Sequence, residues 1–118
     1  MRRSAIALLA GTIIAIAGAN SASAAVATTV SIRYNAAKEL FHGTVSASEA
    51  DCVSGRLVKL YEATADGPSL QGKDRTNDEG VWKIDVMHPS GHYFAVAPRY
   101  EAMHTTCAKD RSKTIDVM

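Results

Sequence analysis

The sequence predicts an all-β fold, an antiparallel β-sandwich of about seven strands behind a cleavable signal peptide. Three observations carry that expectation. Short runs of alternating apolar and polar residues recur at near-even spacing, the period of strands with one buried face. Clusters of Gly, Pro, Asn and Asp punctuate them, and no helical stripe is sustained beyond the N-terminal apolar run. A short strand cannot bury its apolar face alone, whereas two facing sheets can.

The N-terminus reads as an address. Arg2 and Arg3 supply a positive region, and Ala5 to Ala17 form an apolar run too short to span a bilayer. Ala22-Ser23-Ala24 offers a small-residue cleavage site, which gives a signal peptide over 1–24 and a single domain over 25–118. The protein is then expected to be secreted or otherwise extracytoplasmic, in periplasm or cell wall, with no membrane span after cleavage. Removing 24 of the 118 residues leaves 94, enough for one modest core. The chain has 13 Lys and Arg against 12 Asp and Glu; losing Arg2 and Arg3 turns the net charge from +1 to −1. Acidic and basic residues are interspersed, with only a mild basic run at Lys109, Arg111 and Lys113. A basic face with aromatic platforms is not visible, so nucleic acid is not expected as a partner.

In chain order, Val26 to Tyr34 alternates as a β-branched first strand, and Phe41, Gly43, Val45 and Ala47 share one face of a second. Arg56 to Ala63 is a third, with Val58 and Leu60 facing one way and Leu57, Lys59 and Tyr61 the other. Gln71 to Thr76 is short and polar, fit for a sheet edge. Asn77, Asp78, Glu79 and Gly80 then form a turn, the Asn and Asp side chains folding back onto local backbone and Gly accepting positive φ. Trp82, Ile84 and Val86 give a fifth strand, Val81 to Met87, and His92 to Ala97 a sixth. Arg99 to Ser112 reads as an irregular connection, and Lys113 to Met118 closes the fold with Ile115 and Val117 inward.

Two cysteines, Cys52 and Cys107, in a chain bound for an oxidising compartment read as one disulfide. Closing a loop of about 55 residues stabilises by roughly 4 kcal/mol in the chain-entropy picture.

His42-Gly43-Thr44-Val45, Arg56 to Tyr61, Thr76-Asn77-Asp78-Glu79-Gly80-Val81-Trp82 and Gly91 to Val96 together resemble the carboxypeptidase regulatory-like domains. These form a transthyretin-like (prealbumin-like) β-sandwich family, here in a stand-alone, small secreted bacterial form. The resemblance implies a non-catalytic module that assists folding, adhesion or recognition. Hydroxyisourate hydrolases share the transthyretin-like fold, but their His-Arg-His site and C-terminal Tyr-Arg-Gly-Ser have no counterpart in a chain ending Thr114-Ile115-Asp116-Val117-Met118.

No catalytic residue, cofactor or metal is assigned. His88 and His92 are four apart, but Pro89 and Gly91 break the helix that would align them. Asp74, Asn77, Asp78 and Glu79 lack the ligand order of a calcium loop. The chain has no nucleophile elbow. A candidate docking patch follows from strand phase. With Val58, Leu60, Trp82, Ile84, Tyr93 and Ala95 facing the core, Leu57, Tyr61, Phe94 and Val96 point outward. Such a patch suits a protein partner, a surface polymer or a second copy, unless the segment 99–112 folds over it. The sequence therefore supports a secreted binding or envelope module. The competing reading is a small metal-dependent or hydrolytic enzyme built on the surface histidines.

Overall fold

A computed structural model describes residues 24–118; of the expected signal peptide, everything before Ala24 lies outside the described residues. The chain is all-β. Its strands are β1 Thr28–Val30, β2 Arg33–Asn35, β3 Leu40–Ala47, β4 Leu57–Thr64, β5 Gly67–Arg75, β6 Val81–Asp85, β7 Gly91–Ala97, β8 Tyr100–Glu101, β9 Thr106–Cys107, β10 Asp110–Arg111 and β11 Ile115–Val117. One turn of 3-10 helix, Ala50–Cys52, interrupts them.

Two antiparallel sheets enclose the core. In the smaller, β3 pairs with β1 and β2 along one edge and with β6 along the other. In the larger, the order runs β10-β7-β4-β5, and β11 extends the β10 edge of β7. Phe41, Val45, Trp82 and Ile84 from the smaller sheet meet Val58, Leu60, Tyr93, Ala95 and Val117 from the larger. Alternation correctly assigns these inward positions, and the polar fourth strand does lie at a sheet edge, although β5 is not short: it runs nine residues, Gly67–Arg75.

The expected first strand is interrupted at Ser31 and Ile32, although β1 and β2 keep one continuous register along β3. Ser31 explains the gap. Its carbonyl accepts the Trp82 indole N–H at 3.2 Å, and its hydroxyl takes the Thr44 N–H at 2.9 Å in the carbonyl's place. Gly43 lies opposite this exchange; a Cβ there would stand 2.0 Å from the Ser31 oxygen. Ser112 does the same between β10 and β11, its hydroxyl accepting the Ala95 N–H at 2.8 Å where the register shifts by one residue.

The turn before β6 forms as expected at Asn77, whose Oδ1 accepts from Glu79 N and Val81 N, both at 2.9 Å. Gly80 takes φ +83° and places its carbonyl 2.8 Å from Val45 N. Asp78 does not fold back on the turn; it accepts from the Ser54 hydroxyl at 3.0 Å. The segment from Arg99 to Ser112 is not irregular. It forms the β8–β9 hairpin and then β10, in pieces of two residues, too short to display alternation.

Cys52 and Cys107 are joined, with Cα atoms 5.5 Å apart and both residues buried. Beside them lies Arg56, completely buried. Its Nη1 donates to Thr28 Oγ1 (3.1 Å) and the Cys52 carbonyl (3.0 Å), and its Nη2 to the carbonyls of Pro98 (3.0 Å) and Ala108 (2.7 Å). One guanidinium thus ties β1, the disulfide and the end of β7 together. Among the described residues no helix is long and apolar enough to cross a membrane.

Candidate functional site

The outer face of the larger sheet collects the most chemistry. Register puts Tyr61 of β4 directly opposite Phe94 of β7, and their rings stack with centroids 5.5 Å apart. Arg111 of β10 lies over the other side of Phe94, its guanidinium carbon 3.6 Å from the ring centroid. Tyr61, Pro68, Phe94, Val96, Lys109 and Arg111 line a groove of about 280 Å³.

Three of the four expected patch residues, Tyr61, Phe94 and Val96, therefore share one groove. They do point away from the core. They are not bare: Phe94 is 3% exposed and Val96 9%, because Arg111 covers the first and the β10 edge flanks the second. Leu57 shares this face but lies with Lys73, Asp74 and Arg75 in a separate depression.

The same register assembles a basic face that one-dimensional reading does not see. Lys73 of β5 pairs with Lys59 of β4, Lys59 with Val96 of β7, and Val96 with Arg111 of β10, so all four occupy one row across four strands. Arg75, opposite Leu57, and Lys109, in the groove, extend it at either side. The sequence did contain a signal. Lys73-Asp74-Arg75 and Lys109-Asp110-Arg111 are the same tripeptide, one at each outer edge of the larger sheet.

Alternation sends each aspartate the other way. Asp74 Oδ2 accepts Lys83 N of β6 at 2.8 Å, and Asp110 Oδ2 accepts Val30 N of β1 at 2.8 Å. Each carboxylate caps an edge-strand N–H of the smaller sheet. The flanking cations are left on the outer face without the carboxylate that separates them in sequence.

The other sequence candidates do not converge. His88 lies against Glu39, 3.3 Å from Nδ1 to Oε2, where both residues adopt positive φ; His92 pairs with Asp116 on a different strand pair. His42 sits on the outer face of the smaller sheet between Arg33 and Lys83. His104 lies in the β8–β9 turn, lining an open depression of about 590 Å³ with Glu49 and Glu101. The Thr106 hydroxyl and Arg99 hold the Glu101 carboxyl below its ordinary value. Asp74, Asn77 and Asp78 are engaged with Lys83 N, the turn backbone and Ser54. Among the described residues, no group of three His, Cys, Asp or Glu side chains is arranged to hold a metal ion.

The chain matches no protein-family model, no curated protein and no solved structure.

Proposed function

We propose that this chain is an extracytoplasmic, non-catalytic β-sandwich module of the transthyretin-like kind, which works by binding through the outer face of its larger sheet. The observation that carries the reading is the Tyr61–Phe94 pair, with Val96 beside it. These side chains belong to the sheet but not to the core between the sheets, and Lys109 and Arg111 surround them. Tyr61 and Pro68 bring apolar surface to the groove, with the covered Phe94 and Val96 behind them and cations at the rim, a mixture found at docking sites. The segments that carry the family resemblance fall on β3, β4, the turn before β6, and β7. The buried disulfide is compatible with life outside the cytoplasm.

Sedimentation of the processed protein with purified cell-envelope material tests the reading. Co-sedimentation is expected, and Tyr61→Ser should abolish it while leaving the far-ultraviolet spectrum unchanged. Protein that stays in the supernatant overturns it. Stoichiometric zinc or copper in the purified protein would favour the enzyme reading instead.

A further inference from the structure

We infer that the ligand of this face is an acidic polysaccharide, a sugar polymer bearing a carboxylate on its repeating unit. The inference rests on the docking role proposed above and names its substrate class. Four facts bear on it.

The first is charge. Lys59 and Lys73 stand directly opposite one another on adjacent strands, an arrangement that costs stability when no anion intervenes. Among the described residues, neither they nor Lys109 and Arg111 belong to an ion pair; those pairs involve His88, His92 and Arg99. The carboxylates between them in sequence, Asp74 and Asp110, turn to the smaller sheet, and Asp116, on the same outer face, is held by His92. A row of cations maintained against its own repulsion is complementary to an anion supplied from outside.

The second fact is repetition. The two Lys-Asp-Arg tripeptides place matching cations at both edges of one sheet, so the positive potential extends across the face instead of peaking at a point. Adjacent strands are about 4.8 Å apart, which spreads the row from Lys73 to Arg111 over roughly 14 Å. That breadth suits a polymer carrying several anions better than one small ion.

The third is the floor. Tyr61 and Pro68 offer apolar surface of the kind on which the C–H face of a sugar ring packs, beside a groove of about 280 Å³.

The fourth separates sugars from nucleic acid. Bases are held by free aromatic faces. Here Phe94 is sandwiched between Tyr61 and Arg111 and is 3% exposed, so its faces are taken. Anion contacts remain, and Tyr61 is the one aromatic surface left in the groove, fewer than the successive platforms that a run of stacked bases needs.

Titration of the processed, oxidised protein with polygalacturonate, followed by calorimetry at several salt concentrations, tests the inference. Binding is expected, weakening as salt rises because cation–anion contacts release counterions. Lys59→Glu/Lys73→Glu should weaken it by at least about tenfold, and Lys59→Gln/Lys73→Gln by less, with melting temperatures checked for each. Arg33→Glu/Lys83→Glu, on the smaller sheet, should change it by less than about threefold. Equal losses from both charge-reversed pairs would overturn the inference, since any basic surface would then serve. Tighter binding of single-stranded DNA than of polygalacturonate would overturn it in favour of nucleic acid. If polygalacturonate is not bound but envelope material still is, through Tyr61, the ligand class is wrong and the docking role stands. If neither is bound, both fail.

Discussion

Arg56 joins parts of the chain that lie far apart in sequence. A guanidinium at the start of a strand looks like a surface residue in the sequence, because its partners are far away; the Pro98 and Ala108 carbonyls lie 42 and 52 positions on. Burial draws the group below its ordinary value, with Tyr100 acting in the opposite direction, yet guanidinium chemistry keeps it charged. It belongs to none of the described ion pairs, so neutral oxygens on Nη1 and Nη2 carry its solvation, and its buried Nε has no partner. Arg56→Met should cost about 3 kcal/mol or more, since several buried carbonyls would lose a donor. Chemical denaturation measures the loss. Arg56→Lys should recover only part of it, because an ammonium cannot span four acceptors in one plane. Gly43 is the complementary case. Its place on the inner face was legible from alternation with Phe41 and Val45, but its necessity was not, because that depends on Ser31 turning its carbonyl toward Trp82. Gly43→Ala should cost about 2 kcal/mol, read by the same method, through overpacking against that carbonyl.

At the scale of elements, the long strands were readable and the short ones were not. β3, β4, β6 and β7 each show at least two buried residues at alternate positions. β8, β9 and β10 are two residues each, and a period of two cannot be seen in two residues. β10 matters most among them, because Asp110 caps Val30 N and Arg111 covers Phe94 from its two faces. Sheets expose unpaired N–H groups at their edges, an invitation to pair with other chains. Asp74 and Asp110 close the corners between the two sheets by side chain instead of by ladder. Asp110→Ala and Asp74→Ala should each lower stability by about 1–2 kcal/mol. The variants should also self-associate more readily than the parent, which light scattering on heating will show. The β8–β9 hairpin carries a pH dependence of its own. Glu101 has its carboxyl lowered by the Thr106 hydroxyl and Arg99, so its contribution is present above the unfolded value and is lost as pH falls through the folded one. Amide exchange at Thr106 and Cys107 should therefore accelerate on acidification below about pH 4, relative to the same amides in Glu101→Gln.

For the molecule as a whole, the disulfide and the charge pattern are the two global constraints. The bond between Cys52 and Cys107, legible from cysteine count and the export expected from the N-terminal sequence, holds the 3-10 turn against β9. Reducing it should cost about 4 kcal/mol in the chain-entropy picture, seen as a lower denaturation midpoint, while the intact bond shows as two missing hydrogens by mass. Net charge conveyed nothing about the surface. Near-equal numbers of acids and bases sort in space: the aspartates inside the two Lys-Asp-Arg tripeptides turn to the smaller sheet, while Lys59, Lys73, Arg75, Lys109 and Arg111 share one face. The docking patch was half legible for the same reason. Strand phase gave its direction, whereas its cover and its cations come from β5 and β10, which phase alone does not place beside it. Backbone amide shifts of the folded protein during polygalacturonate titration decide whether the outer face of the larger sheet is the docking surface. Changes are expected at Leu57 to Tyr61, Lys73 to Arg75, Phe94 to Val96 and Lys109 to Arg111; changes centred on Arg33, His42 and Lys83, or on the β8–β9 hairpin, would rule that face out.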